Sequence, residues 1–255
     1  MWRARAGPNR HKVLVRKRRE RNKGLIIMLI NTEFDKRTVV HAGKTDWIPT
    51  RMQGVERRML DRIGAESGHA TTIVRYAPGS SFSSHVHQGG EEFVVLEGIF
   101  QDEHGDFPAG TYVRNPPQSK HTPGSDDGCT IFVKLWQFDP ADRKGVVIDT
   151  TTAAFNPDPT NSAVQTLHLH GDAREDVRIE KWQPDQRIDL DAPDGMEILV
   201  LEGSFEEAGE TFEKHAWLRL PRGFKTAAFS GSNGTRLWIK RNHLAQAPEV
   251  KLVKS

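Results

Sequence analysis

Cysteine is almost absent: Cys129 stands alone in 255 residues. That excludes an intramolecular disulfide framework and any zinc or iron-sulfur site built from several thiolates, and it fits a reducing, cytoplasmic compartment. Long apolar runs are missing too. The longest, Leu25 to Ile30, has six residues, whereas a helix needs about 20 to cross a bilayer, so no membrane partner is expected. No Gly-rich phosphate loop, Ser-His-Asp arrangement or paired-carboxylate spacing rises above background, which leaves nucleophilic and glycosidic chemistry without support. Tyrosine is scarce, two residues against six Trp and twelve Phe, and this aromatic balance points to well-filled cores.

Negative charge is absent from one end. Residues 1–24 hold ten Lys or Arg and a single acid, Glu20, so +9 of charge sits there while the net total is only +2 and the remainder carries −7. A body of that sign repels phosphate backbones, and nucleic acid is not an expected partner. Residues 1–27 read as a disordered basic extension. It is open to three readings: sequence upstream of a start at Met28, a targeting peptide whose apolar stretch is too short for a secretory leader, or an arm for polyanions.

Beyond Asn31 the chain reads as short strands, punctuated every 8 to 12 residues by Gly, Pro, Asn and Asp, which is the pattern of an all-β sandwich or barrel. ATTIVRY (70–76), EFVVLEG (92–98) and CTIFVKLWQF (129–138) are rich in β-branched and aromatic residues. The pattern also repeats. EEFVVLEGIF (91–100) recurs as MEILVLEGSF (196–205), 105 residues on, and Pro116 recurs as Pro221. IFVKLW (131–136) corresponds to RLWIKR (236–241), and Tyr76 and Pro78 to Trp182 and Pro184 at an offset of 106. Two tandem copies of one β-domain are expected, at 28–148 and 162–255, joined by a turn-rich linker over 149–161.

In the first copy His85 and His87 lie two apart on an extended segment, so their side chains share a face. Gln88-Gly89-Gly90 turns the chain into Glu91, and a second turn, Asn115 to Lys120, precedes His121. Three imidazoles and a carboxylate can converge inside a barrel, a mixture that zinc, iron, manganese and nickel accept.

These residues resemble the cupin superfamily. Its first motif is matched without a gap by Gly79, His85, His87, Glu91 and Gly98, and its second by Gly110, Pro116 and His121. Chance would give such a match far less often than about once in a million windows at average residue usage. Gln118 stands where Gly is usual and Ser125 where Asn is usual; neither is a ligand, so these departures bear on turn geometry. VRYAPGSSF, HVHQGGEEFVVLEG, DEHGDFPAGTYVRNPP and SKHTPGS resemble more closely the cupin domain of ChrR-type proteins. That resemblance implies a bicupin of two jelly-roll (double-stranded β-helix) domains. Its first domain holds one divalent ion, zinc or iron foremost, through His85, His87, Glu91 and His121. The zinc-binding helical domain of the anti-sigma members has no counterpart here, so no sigma-factor partner is expected. Cupins commonly pair through sheet edges, and a homodimer is implied.

In the second copy the ligand positions become Leu190, Ala192, Met196 and Thr226, and Glu197 aligns with Glu92 rather than with Glu91. This copy reads as a metal-free partner that covers a sheet of the first, with a dry apolar interior or an organic ligand inside. Elsewhere the residues read more plainly. His168 and His170 form another His-x-His without a following Glu and read as strand surface. His104 reads as a solvated loop residue, Glu92 and Glu97 as surface charge, and Cys129 as a buried inert thiol. Phe82, Phe93, Trp136 and Phe138 either line the metal pocket or pack the core.

Two functions remain open. One is a sensor or small-molecule-binding protein whose ion is closed by four ligands. The other is an iron(II) dioxygenase cleaving a small dicarbonyl-like or aromatic substrate, which needs open positions on the metal.

Overall fold

The computed structural model describes residues 16–19, 26–64 and 68–246. Of the basic extension, residues 16–19 and 26–27 form strands rather than the expected disorder; the rest of 1–27 lies outside the described residues. Helical structure among the described residues is limited to two short 3-10 turns, Ala42–Lys44 and His243–Gln246, and no helix is long and apolar enough to cross a membrane.

The leading strands are β1 (Arg16–Arg19), β2 (Ile26–Ile30) and β3 (Thr38–His41). The first unit follows with β4 (Ile48–Pro49), β5 (Val55–Gly64), β6 (Gly68–Tyr76), β7 (Ser80–Ser81), β8 (His85–His87), β9 (Glu91–Asp102) and β10 (Gly105–Pro108). It continues with β11 (Thr111–Asn115), β12 (Ser119–His121), β13 (Gly124–Ser125) and β14 (Cys129–Leu135), and β15 (Val146–Asp149) leads out of it. The second unit comprises β16 (Asn156–Pro157), β17 (Val164–Gly171), β18 (Asp176–Trp182), β19 (Arg187–Ala192), β20 (Met196–Glu207), β21 (Glu210–Phe212), β22 (Ala216–Leu220) and β23 (Phe224–Arg241).

The repeat read from the sequence is a repeat of topology. Strands run β5-β6-β14-β9-β11 in one main sheet and β17-β18-β23-β20-β22 in the other. Register is copied as well: His85 faces His121 across β8 and β12, and Leu190 faces Thr226 across β19 and β23. Gly98 and Gly203 hold the same left-handed turn, φ 72° and 71°, and a side chain on either would collide with a carbonyl oxygen of the neighbouring strand, that of Gly128 or Gly234.

The two units exchange their outer strands. Beside β11 lies β15, which leads into the second unit; beside β22 lies β3, which leads into the first, with Val39 opposite Leu218 and Val40 opposite Trp217. Each exchange covers a sheet edge whose N–H and C=O groups would otherwise stand open. The intervals 28–148 and 162–255 therefore divide the sequence but not the sheets.

Strand alternation divides the apolar side chains into three cores. On β9, Phe93 and Val95 point into the first barrel while Val94 points out; on β20, Ile198 and Val200 line the second barrel while Leu199 points out. The outward set from both units merges into a third core, where Phe132, opposite Val94, and Trp238, opposite Leu199, meet edge to face at 4.9 Å between ring centroids; this register makes the terminal strands equivalent at an offset of 106, one residue beyond the correspondence read from the sequence.

Buried charge crosses the same interface reciprocally. Lys134 Nζ lies 2.6 Å from Glu197 Oε2, and Lys240 Nζ bonds to Glu92 and lies 2.8 Å from Glu175 Oε2. Glu92 and Glu197 are equivalents, as are Lys134 and Lys240. Glu92, read from the sequence as surface charge, is 1% exposed, because the outer face of β9 meets the second unit rather than water. Burial opposes the charge on Lys240, but Glu175 and Glu92 outweigh it and hold the ammonium well above its ordinary range. Burial likewise opposes ionisation of Glu197, yet Lys134 and His243 keep that carboxyl well below its usual value. Removing one member of such a set strands a buried charge, at roughly 3–5 kcal/mol. Lys240→Met is therefore expected to lower the unfolding free energy by about that much in urea titration, and an unchanged midpoint would contradict this account.

A second buried group sets a pH limit. His69 packs edge-on against Phe34, and its Nε2 lies 3.6 Å from Asp61, whose carboxylate pairs with Arg219. Burial, partly opposed by Asp61, pushes the imidazole down to about 4. The fold binds fewer protons here than the unfolded chain, so the stability from this group is complete above about pH 6.5 and is lost as pH falls towards about 4, by up to about 3 kcal/mol. Thermal midpoints of His69→Asn should show a shallower fall over that window than those of the parent chain.

Candidate metal centre

The first barrel narrows to a histidine cluster for local reasons. β8 is three residues long, and alternation turns Val86 outward while His85 and His87 face in. A turn closed by Gly90 N–H donating to the His87 carbonyl at 3.2 Å starts β9 with Glu91. The Pro116 to Ser119 turn docks on the same strand, Gln118 N–H donating to the His87 carbonyl at 2.9 Å, and delivers His121 opposite His85.

Ligating atoms of His85, His87 and His121 lie within 4.8 Å of one another. Nε2 of His87 and Nε2 of His121 are 2.8 Å apart, and Glu91 Oε2 stands 3.4 Å from the first and 3.5 Å from the second. The opposite ring nitrogens are anchored. His85 Nδ1 lies 2.9 Å from the Ser83 carbonyl and His121 Nδ1 lies 2.9 Å from Asp102 Oδ2. Both partners only accept, so each Nδ1 carries a proton, and the neutral ring then presents Nε2 bare, as a metal ligand requires. Burial, with His85 alongside, pushes His87 down to about 4, so its ring is neutral at physiological pH. Burial raises Glu91, against the pull of His121 and the Asn115 amide, which donates to Oε2 at 3.2 Å. Bare nitrogens and a buried carboxylate facing one another need a proton or a cation between them. This donor set fits a borderline divalent ion.

The aromatic expectation divides. Phe82 approaches His85 at 6.2 Å and Phe93 lies in the barrel core, where Tyr76 and Phe100 back the cluster. Trp136 is 42% exposed, and Phe138 packs under the Arg114 guanidinium instead. Cys129 is buried, its thiol pushed up to about 11 by burial, and His104 is exposed.

Three supporting residues escaped the sequence reading: Ser83, Asp102 and Asn115. Asp102 had a signal, since it follows Phe100 by two on β9 and shares its inward face. Asn115 lies opposite Glu91 in the β9–β11 register, which the sequence does not declare.

In the second barrel Leu190, Ala192 and Met196 belong to the apolar core. Glu207 replaces Asp102, and the Thr226 hydroxyl donates to its Oε1 at 2.9 Å. The other oxygen accepts from Arg37, a residue ahead of β3. A guanidinium from outside the repeat thus neutralises the carboxylate left behind.

His170 departs from its sequence reading. His168 is exposed as expected, but a bulge between the two residues shifts the register, and His170 is 2% exposed.

Gln118 keeps the turn at φ 74°, and its counterpart Gly223 adopts 72°. A side chain in this conformation costs on the order of 1 kcal/mol, of which glycine's looser unfolded chain cancels part. Gln118→Gly should therefore raise the urea midpoint by the equivalent of about 0.5–1 kcal/mol, without changing bound metal.

Residues 35–139 match the ChrR cupin-like domain. None of the curated proteins matches the chain. Among solved structures, a candidate dioxygenase from Nostoc punctiforme, 14% identical, superposes with a TM-score of 0.69 over 87% of each chain. A bacterial pirin from Escherichia coli in complex with nickel(II) gives 14% identity and 0.59 over 81% of this chain and 99% of its own. A cupin 2 conserved barrel domain protein from Leptotrichia buccalis gives 10% and 0.55 over 80% and 96%. At these identities the likeness is one of fold.

Proposed function

Starting from a ChrR-like cupin domain over residues 35–139, we propose that the protein binds one divalent metal ion through Nε2 of His85, His87 and His121 and the carboxylate of Glu91, and serves as a metal-dependent sensor or small-molecule-binding protein. The supporting observation is the anchoring of Nδ1 in His85 and His121, which leaves bare nitrogens aimed at a common point. Asp102 and the Ser83 carbonyl orient two rings, and Asn115 holds Glu91 Oε2. Tyr76, Phe82 and Phe100 exclude water behind the cluster. The second unit acts as a metal-free buttress, and a cytoplasmic homodimer belongs to the same reading.

A second reading, an iron(II) dioxygenase, draws on the Nostoc neighbour. A bound ion would supply Lewis acidity or, as iron, chemistry with O2. The chain's own residues would do the same orienting work in both readings.

Protein purified without chelator should carry one ion in this site, and His87→Ala and His121→Ala should each lose it and unfold at lower temperature, since metal binding adds to folding free energy. Unchanged metal content in both variants would overturn the ligand assignment. O2 uptake by the iron-loaded chain with β-diketones or catechols would decide for the dioxygenase; none across the panel, with a preference for zinc, decides for the binding role.

A further inference from the structure

We propose a second divalent-cation site, formed by Asp142, His170 and Asp172, that clips the two units together. It lies away from the first barrel's histidines and does not depend on them. Asp142 belongs to the connection between β14 and β15 on the first unit, while His170 and Asp172 flank the end of β17 on the second. Their potential ligand atoms lie within 4.8 Å of one another.

His170 carries the inference. It is 2% exposed, and neither ring nitrogen has a hydrogen-bond partner. A buried polar side chain without a partner bears an uncompensated loss of hydration. Nε2 faces two carboxylates beyond hydrogen-bond reach, Asp172 Oδ2 at 3.6 Å and Glu175 Oε1 at 3.9 Å.

The carboxylates are set for a cation. Asp172 Oδ1 accepts the N–H groups of Arg174 at 2.7 Å and Glu175 at 3.0 Å, which leaves Oδ2 turned to the imidazole. Asp142 Oδ1 accepts the Lys144 N–H at 2.8 Å, and Oδ2 pairs with Arg114 at 2.6 Å. Arg114 also reaches Glu175, and Lys240 serves Glu175 and Glu92. Arg114 is thus shared between Asp142 and Glu175, and Lys240 between Glu175 and Glu92, and a divalent ion at Asp142 and Asp172 adds positive charge to this acidic cluster. A protonated imidazole is the competing way to supply charge. Burial and the adjacent Arg114 disfavour it. One imidazole with carboxylate oxygens suits zinc or manganese better than the oxygen-only preference of magnesium. Asp172 is partly exposed, so an ion can enter from solvent.

The test titrates zinc alone into the chelator-stripped full chain and counts bound zinc after gel filtration. The expected result is two per chain for the parent protein and one each for Asp172→Asn and His170→Gln. His121→Ala should also keep one, and zinc should raise its thermal midpoint but not that of the His121→Ala/Asp172→Asn double variant. Should His170→Gln not fold, Asp172→Asn decides, because its side chain is partly solvent-facing. Parent stoichiometry retained by Asp172→Asn, or a single zinc in the parent that His121→Ala abolishes, overturns the proposal. Failure of the first site reads differently: His121→Ala would match the parent while Asp172→Asn still lost one ion.

Discussion

The centre of each main sheet is buried on both faces, and most of the structure answers to that constraint. The inward face fills a barrel; the outward face cannot meet water, because it meets the equivalent face of the other copy. Apolar residues satisfy most of this contact, as where Phe132 meets Trp238. Charged residues at equivalent places satisfy the rest by crossing over, Lys134 to Glu197 and Lys240 to Glu92. A lysine and a glutamate that neighbour each other within one sheet find their closest partners in the opposite sheet, so the pairing fixes how the halves sit as well as whether they adhere. Such buried pairs contribute little net stability over an apolar replacement, and their value lies in penalising any other alignment.

This rigid backing has a bearing on the histidine cluster. β9 carries Glu91 at its start and Asp102 at its end, with Glu92 clamped beneath. The strand that supplies one carboxylate to the cluster and orients His121 with another is thus locked against the second unit. In the second barrel the same scaffold persists with its chemistry removed: apolar side chains fill the place of the ligands, and Arg37 closes on Glu207, so the copy keeps a carboxylate while presenting no bare nitrogen.

How much of this was legible depended on whether the information was local. The repeat, the all-β class and the gathering of His85, His87 and His121 could be read because strand alternation and turn spacing are written in consecutive positions. Gln118 could be flagged as an odd residue for its turn, and the backbone there keeps the left-handed conformation regardless. What failed was long-range. Glu92 reads as surface charge in the sequence because nothing in its neighbourhood announces the opposing sheet. His170 reads as a surface residue because the bulge that advances the register by one is invisible in the alternation of VQTLHLHG. Asn115 required the β9–β11 register, and Arg37 required knowing that the segment ahead of the first unit visits the second.

The exchange of β3 and β15 bears on the order of events during synthesis. Val40 waits for Trp217, which leaves the ribosome only after most of the chain has been made. Until then the first half can close its barrel and gather its histidines, but β3 has no edge to join and the outward face of the first sheet remains uncovered. A cut in the 149–161 connection does not release two autonomous modules, since the first half would depart with β3, which belongs beside β22 in the sheet of the second. The order of the strands in the chain is thus a topological commitment: the edge that β3 covers exists only once β22 has emerged.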